Sequence, residues 1–415
     1  MFRDLFQGPM FRLNIVIMSS LAFLAFGLRT PGGLIGTLQL PVAALQVYFI
    51  VAVALQVGVQ GLVAPLTNTQ RSLIGTLIVY VIFVSATSPV PSAHILAISW
   101  IIHILFFVAL ISFFRNVDLN GVEIVWSVLG LTALIHVSAF MIAWTIWPDE
   151  IRQMNLPSVG HIRHLPYILT PAATVMAVQF ITRLDKGYSS IAFFAAAAFF
   201  IIYTGSRGGA AGVIVGLLAA GAYSAWSHQC IPFRRVLTLL GVTTVLVVAA
   251  ELLPPLPWGT LAGRWLDAFS ETAPEFSSAR NEVWRIAMKA IVENWIWGYG
   301  PALLYEIPHQ LPWPDRLPHL FQPHNVGLQL LLHWGALGTL VLALTILSFV
   351  ANIWAALRQR QALSVMPLAV LVAMLTQALV DGNLFYPFSV VIAIIAFAIL
   401  EGIGRQQSSE STSAA

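Results

Sequence analysis

Charge is what this 415-residue chain lacks most: Asp, Glu, Lys and Arg make up 9% of it, against 58% hydrophobic residues. Soluble globular domains carry about 25% charged residues, so a water-soluble fold is excluded and an integral membrane protein is expected. The mean hydropathy of +0.84 agrees. Cysteine is nearly absent too. Its one copy, Cys230, excludes an intramolecular disulfide and any cysteine-cluster metal site. No Asp-x-Asp pair suits a divalent metal, and Asp149 and Glu150 are adjacent and so point different ways. The net charge of +3 is too small and too dispersed for nucleic-acid binding. The hydrophobic stretches also lack the polar–apolar alternation of barrel strands, which leaves helices.

What is present is a series of apolar windows broken at polar or Pro/Gly clusters. They predict an all-α, polytopic transmembrane protein with twelve spans, near 11–28, 38–62, 72–88, 94–114, 122–147, 165–182, 189–204, 210–226, 236–253, 325–350, 364–380 and 388–404. The whole of 1–404 reads as one transmembrane domain. Arg3 and Arg12 precede an apolar run with no small-residue cleavage site after it, so that run reads as an uncleaved first span. Basic residues in short loops set the orientation. With the N-terminus inside, Arg71, Arg115, Arg183 with Lys186, Arg234 with Arg235, Arg358 with Arg360, and Arg405 all fall in the cytoplasm. The polar, Ser-rich residues 405–415 read as a disordered cytoplasmic tail.

Arg29, Arg152, Arg163, Arg207, Arg264, Arg280, Arg285, Lys289 and Arg316 fall outside, where basic residues should be scarce. Five of them belong to one long loop, 254–323, flanked by Pro254, Pro255 and Pro257 and by Pro308, Pro312, Pro314, Pro318 and Pro323. A loop that long is commonly functional. Between the prolines one helix is expected near 278–296, capped by Ser277 or Ser278, with Val283, Ala287, Ala290/Ile291 and Trp295 at helical spacing. Such an amphipathic segment would lie over the outer membrane surface and roof a cavity.

Four polar islands hold the candidate site residues. In Tyr203-Thr-Gly-Ser-Arg-Gly-Gly209 the recurrence of Gly208, Gly212 and Gly216 reads as close helix packing. Arg207, at a helix N-terminus beside Ser206, instead completes an anion cradle. In Gly160-His-Ile-Arg-His-Leu-Pro166, Arg163 can grip phosphate bidentately between His161 and His164. Headgroup anchoring is the competing reading for Arg163 and Arg207. Arg280 occupies the first turn of the loop helix, where a cation is disfavoured unless an anion is present. Arg285 and Lys289, stepping by four toward Glu293, look like ion pairs on a wet face. His324, in Gln322-Pro-His-Asn-Val326, opens the tenth span. A helix N-terminus disfavours imidazolium, so the ring is expected neutral and ready to take a proton. Asn325 can cap the helix or fix the ring's tautomer, and Asp381 can either orient the site or cap its own helix. The other histidines, His94, His103, His136, His228 and His333, read as structural.

At these residues the chain resembles the O-antigen ligase and polymerase family of bacterial membrane glycosyltransferases. The resemblance is carried by Thr204-Gly-Ser-Arg-Gly-Gly209 and by the series Arg280, Trp284, Gly298-Tyr-Gly300, His324-Asn325, Gly335 and Gly338, over roughly Phe193 to Phe349. It implies a GT-C-like helical fold with a large periplasmic loop. It also implies a glycan donor carried on undecaprenyl diphosphate at the periplasmic face of the bacterial inner membrane, with no metal, nucleotide or other cofactor. The acceptor hydroxyl would belong to lipid A–core for a ligase, or to a second lipid-linked glycan for a polymerase. By the same resemblance His324 is the general base, and Arg280 and Arg207 hold the diphosphate, with Arg163 and Ser206 beside them. Asn325, Asp381, Arg285 and His164 are expected in support.

The chemistry of the residues agrees. Breaking a sugar–diphosphate bond builds negative charge that preorganised cations stabilise, and a positioned base contributes about 10²–10⁴-fold. Direct attack by the acceptor inverts the anomeric centre. A single dominant outer loop favours a ligase, and the second arginine-bearing loop around Arg152 and Arg163 keeps a polymerase in play. A transporter should carry charges near mid-span and repeated halves; here Glu123 and Glu251 stand close to span ends and no repeat is visible.

Overall fold

The computed structural model describes residues 40–116, 122–148, 155–156, 160–161, 164–182, 187–229, 231–253, 261–263, 280–308, 322–359 and 362–413. The expected first span, Arg163, Cys230 and the proline-rich flanks up to residue 279 lie outside them. Twelve α-helices are described: α1 (Leu40–Val63), α2 (Asn68–Ala86), α3 (Pro91–Asn116), α4 (Glu123–Ile146), α5 (Leu165–Thr182), α6 (Gly187–Tyr203), α7 (Arg207–Trp226), α8 (Phe233–Leu252), α9 (Arg280–Glu293), α10 (Val326–Arg358), α11 (Val365–Val380) and α12 (Pro387–Ser413). Asn155–Leu156 and Gly160–His161 form a two-residue antiparallel pair before α5. The fold is all-α. Among the described residues ten helices are long and apolar enough to cross a membrane, and α6, expected as the seventh span, is shorter. The last helix continues past its apolar part through the Ser-rich residues to Ser413.

The chain forms two compact units. In one, α4 to α8 gather with α11 up to Gln377. Its hub is α5, buried along every residue from Leu165 to Ile181 and packed by α4, α6, α7 and α8. The glycines of α7 explain how closely its neighbours come. A Cβ on Gly212 would stand 2.7 Å from the Ala373 carbonyl oxygen, and one on Gly216 would stand 2.9 Å from that of Ala369. Backbone against backbone at this range needs small residues, so the packing reading holds for Gly212 and Gly216. Gly209 is tight as well: a Cβ there would meet the Ser206 and Thr170 hydroxyls at 2.9 Å each.

The other unit contains most of α1, then α2, α3, α9, α10 up to Ala355, and the chain from Ala378 through α12. Thr67 and Gln70 close a capping box at the start of α2. Gln70 also bonds the Ser348 carbonyl and Arg405, and Arg405 reaches buried Glu401 and the Pro65 carbonyl. This knot pins one end of the unit. At the other end α10 is broken at Gly335 (φ 57°, ψ −171°). The break frees two carbonyls and two N–H groups, and residues 295–300 take them up. Tyr299 and Gly300 N–H donate to Leu332 and His333 carbonyls at 2.9 and 2.8 Å, and Ala336 and Leu337 N–H donate to Trp295 and Ile296 carbonyls at 2.7 and 3.1 Å. A Cβ on Gly298 (φ 71°) would lie 2.5 Å from the Gly335 nitrogen, so only glycine allows the crossing. The Tyr80 hydroxyl, 2.8 Å from the Trp297 carbonyl and 2.6 Å from that of Trp334, locks it.

Candidate functional site

The turn Gln322-Pro-His-Asn leads into α10. Asn325 caps that helix, its side-chain oxygen accepting the Leu328 N–H at 3.0 Å while its amide donates to the Leu379 carbonyl at 2.8 Å. The start of α10 is thereby tied to the end of α11, which brings Asp381 beside His324. His324 Nδ1 and Asp381 Oδ1 are 3.3 Å apart. An ionised carboxylate only accepts, so the ring donates from Nδ1 and Nε2 carries the lone pair of the neutral ring. Of the two roles open to Asn325, it takes the helix cap, and the partner on the ring is Asp381. Asp381 also accepts the Gly382 N–H at 2.8 Å, which holds its carboxylate in place.

The backbone at His324 has φ 54°, the left-handed region. For a residue with a Cβ this costs about 1–2 kcal/mol, so the surroundings must hold it. Three contacts do: the Asn325 cap on one side, the Asp381 bond on the ring, and a 2.8 Å bond from Trp284 Nε1 to the Pro323 carbonyl on the other side. Non-glycine residues kept in this region by over-determined surroundings cluster at functional sites.

Trp284 belongs to α9, the helix expected in the long loop. Its inner face, Val283, Ile286, Ala287, Ala290 and Ile291, is buried. It packs with Val90, Ala93, Tyr299, Ala302, Leu304, Ile307 and Leu332. The helix ends at Glu293, and Trp295, expected on the buried face, is 59% exposed. The reason is local: Asn294 turns back, its side-chain amide reaching the Gly298 carbonyl at 2.5 Å. Arg285 is exposed and Lys289 half-buried, as expected of the wet face. Arg280, one turn before Trp284 and half-buried, is near enough to Asp381 for its charge to lower that carboxyl.

The electrostatics of Asp381 follow from these neighbours. Burial by itself raises its carboxyl. The His324 hydrogen bond and charge, the Arg280 charge and the Gly382 N–H outweigh that and hold it down at about 2. The side chains stay accessible, His324 at 24% and Asp381 at 14% exposure. A histidine oriented by a carboxylate, with an arginine beside them, is an arrangement that can remove a proton from a hydroxyl and attract an anion.

The remaining expected residues lie in the unit built on α5. Arg207 is the first residue of α7, half-buried, after Ser206, which caps the helix by accepting the Gly209 N–H at 3.2 Å. Gly205 (φ 64°) makes the turn, and the Thr204 hydroxyl closes α6 on the Phe200 carbonyl at 2.6 Å. His164 rests against the Tyr167 ring, centroids 5.4 Å apart. Gln322, which no sequence pattern marks, is buried at 2% exposure against Gly382. Among the described residues no three His, Cys, Asp or Glu side chains group as metal ligands would.

Residues 192–343 match the family model described as O-antigen ligase. Over those residues the chain is similar to O-antigen ligases. Arg207, Arg280, Trp284 and His324 fall inside the matched residues, as do the crossing glycines Gly298 and Gly335, whereas Asp381 lies beyond their end. No curated protein matches the chain.

Proposed function

We propose that this membrane protein transfers a glycan from undecaprenyl diphosphate to a hydroxyl of lipid A–core, at the periplasmic face of the bacterial inner membrane. The observation that supports it most is the His324–Asp381 pair with the Arg280 charge near it, in a chain whose residues 192–343 match the O-antigen ligase family model. His324 Nε2 takes the acceptor proton while the oxygen attacks the anomeric carbon, and the diphosphate leaves from the opposite face with inversion. Asp381 holds the imidazole and balances its charge as the proton arrives. Arg280, Arg207 and Arg163 receive the charge that develops on the diphosphate, with Ser206 as a hydroxyl partner. Asn325 supports the turn, and Arg285 and His164 the approach of the anionic lipid.

In this reading residues 1–404 act as one transmembrane domain with the 254–323 loop and its helix α9 in the periplasm and both termini in the cytoplasm. No metal or other cofactor takes part. The test is reconstitution: purified protein in nanodiscs, a synthetic lipid-diphosphate glycan and lipid A–core. Transfer that survives chelators and inverts the anomeric configuration, read by NMR of the product, supports the proposal. Retention, or a requirement for added divalent ion, overturns it. Gel profiles of lipopolysaccharide from a deletion strain test the acceptor. Core-only bands with accumulated lipid-linked polymer fit a ligase, and core plus one repeat shows a polymerase.

A further inference from the structure

Gln322 is 2% exposed, yet neither its amide oxygen nor its amide nitrogen has a hydrogen-bond partner within the protein. Buried amides are nearly always paired, so a carboxamide left this way calls for a partner from outside the chain. Its position is specific. The amide packs where a side chain on residue 382 would stand, and glycine there makes the room. Gly382 donates its N–H to Asp381, the partner of His324, and Gln322 is two residues before His324.

The chemistry of the amide narrows the ligand. It is neutral, with two donor hydrogens and an accepting oxygen on one plane. An anion is better met by the arginines, whose charge-assisted bonds are stronger. A hydroxyl, which both gives and takes a hydrogen bond, is the natural complement. We infer that Gln322 recognises a glycan hydroxyl beside the His324–Asp381 pair, and so contributes to which sugar is accepted. This rests on the glycosyl-transfer reading above. Because the amide is already stripped of water, a ligand hydroxyl meets it with little further desolvation on the protein side. A sugar lacking that hydroxyl leaves the amide unpaired, which is the strongest form of discrimination available to such a site.

The experiment uses the full chain in nanodiscs, as wild type and as Gln322→Met, which keeps length and removes both polar groups. Gly382→Ala, which crowds the amide, is the second variant. Melting temperature checks folding. Transfer is measured against lipid A–core and against the lipid-linked donor, each intact and as a series lacking single sugar hydroxyls. The expected result is a KM raised about tenfold or more in Gln322→Met, with a smaller change in kcat, and one deoxy compound that the variant and wild type handle alike. An effect confined to the acceptor series assigns the hydroxyl to the acceptor, and one confined to the donor series assigns it to the donor. Unchanged KM, or an equal loss on every compound, overturns the inference. Should wild type transfer nothing, the functional reading fails by itself. Calorimetric binding of the same intact and deoxy glycans to wild type and Gln322→Met then still decides the role of the amide.

Discussion

His228 and His324 both hold left-handed backbone, at φ 55° and φ 54°, and different neighbours keep them there. His228 follows the end of α7, where the His228 N–H reaches the Ala225 carbonyl at 3.2 Å and the Gln229 N–H reaches that of Ser224 at 2.9 Å. A left-handed residue just past a helix satisfies the last carbonyls, and helices end this way routinely. Its side chain is exposed, so any residue that tolerates the conformation would do. His324 precedes a helix, where no such closing motif requires the conformation. Two side chains distant in sequence fix it, Trp284 from α9 and Asp381 after α11, together with the cap of the neighbouring Asn325. Strain alone therefore marks nothing. Strain imposed by side-chain partners on a residue with a usable ring marks a site.

That contrast is broken most sharply by taking away in turn the charged groups gathered around His324. Arg280→Ala removes a cation aimed at developing charge, and transfer should fall about 10²–10³-fold with kcat carrying most of the loss. Single-turnover rates at saturating donor read this out; a change in KM alone would reduce Arg280 to a binding contact. Asp381→Asn leaves the shape and removes the orienting charge, an effect expected at about 10–100-fold in kcat. A rate within twofold of wild type would show that the pair only holds the turn.

Asp381 also ties the site to pH. Its carboxyl lies below the ordinary value of 3.8, at about 2 in the folded chain. The stability it contributes is complete above about pH 4 and is lost as the pH falls toward about 2. Melting curves in detergent should show that loss in wild type and a flatter dependence in Asp381→Asn over the same window. The smallest effect belongs to the comparison histidine. His228→Gly should alter stability by less than about 1 kcal/mol, relief of the left-handed cost being offset by glycine's freedom in the unfolded chain. Its transfer rate should match wild type.

The spans were legible because hydrophobic periodicity and length are local signals. Leu165–Thr182 agrees with the expected 165–182 at both ends, and most other ends differ by a few residues. The start of α2 at Asn68, ahead of the expected 72, shows what an apolar window overlooks: the capping box of Thr67 and Gln70 extends the helix into polar sequence. The break in α10 was hidden for the opposite reason. Gly335 lies well inside an apolar span, and the break exists because the backbone of residues 295–300 crosses there. His324, Arg280 and Arg207 could be picked from their places at helix starts. The pairing of His324 with Asp381 spans 57 residues and depends on Asn325 reaching Leu379, a contact that no local pattern encodes.

In the proposed transfer His324 acts as the base, and the transfer rate of purified His324→Ala tests that most directly. With melting temperature and donor binding close to wild type, the rate should fall by about 10²–10⁴-fold. A variant that folds, binds the lipid-linked donor and transfers at near-normal rate would contradict it.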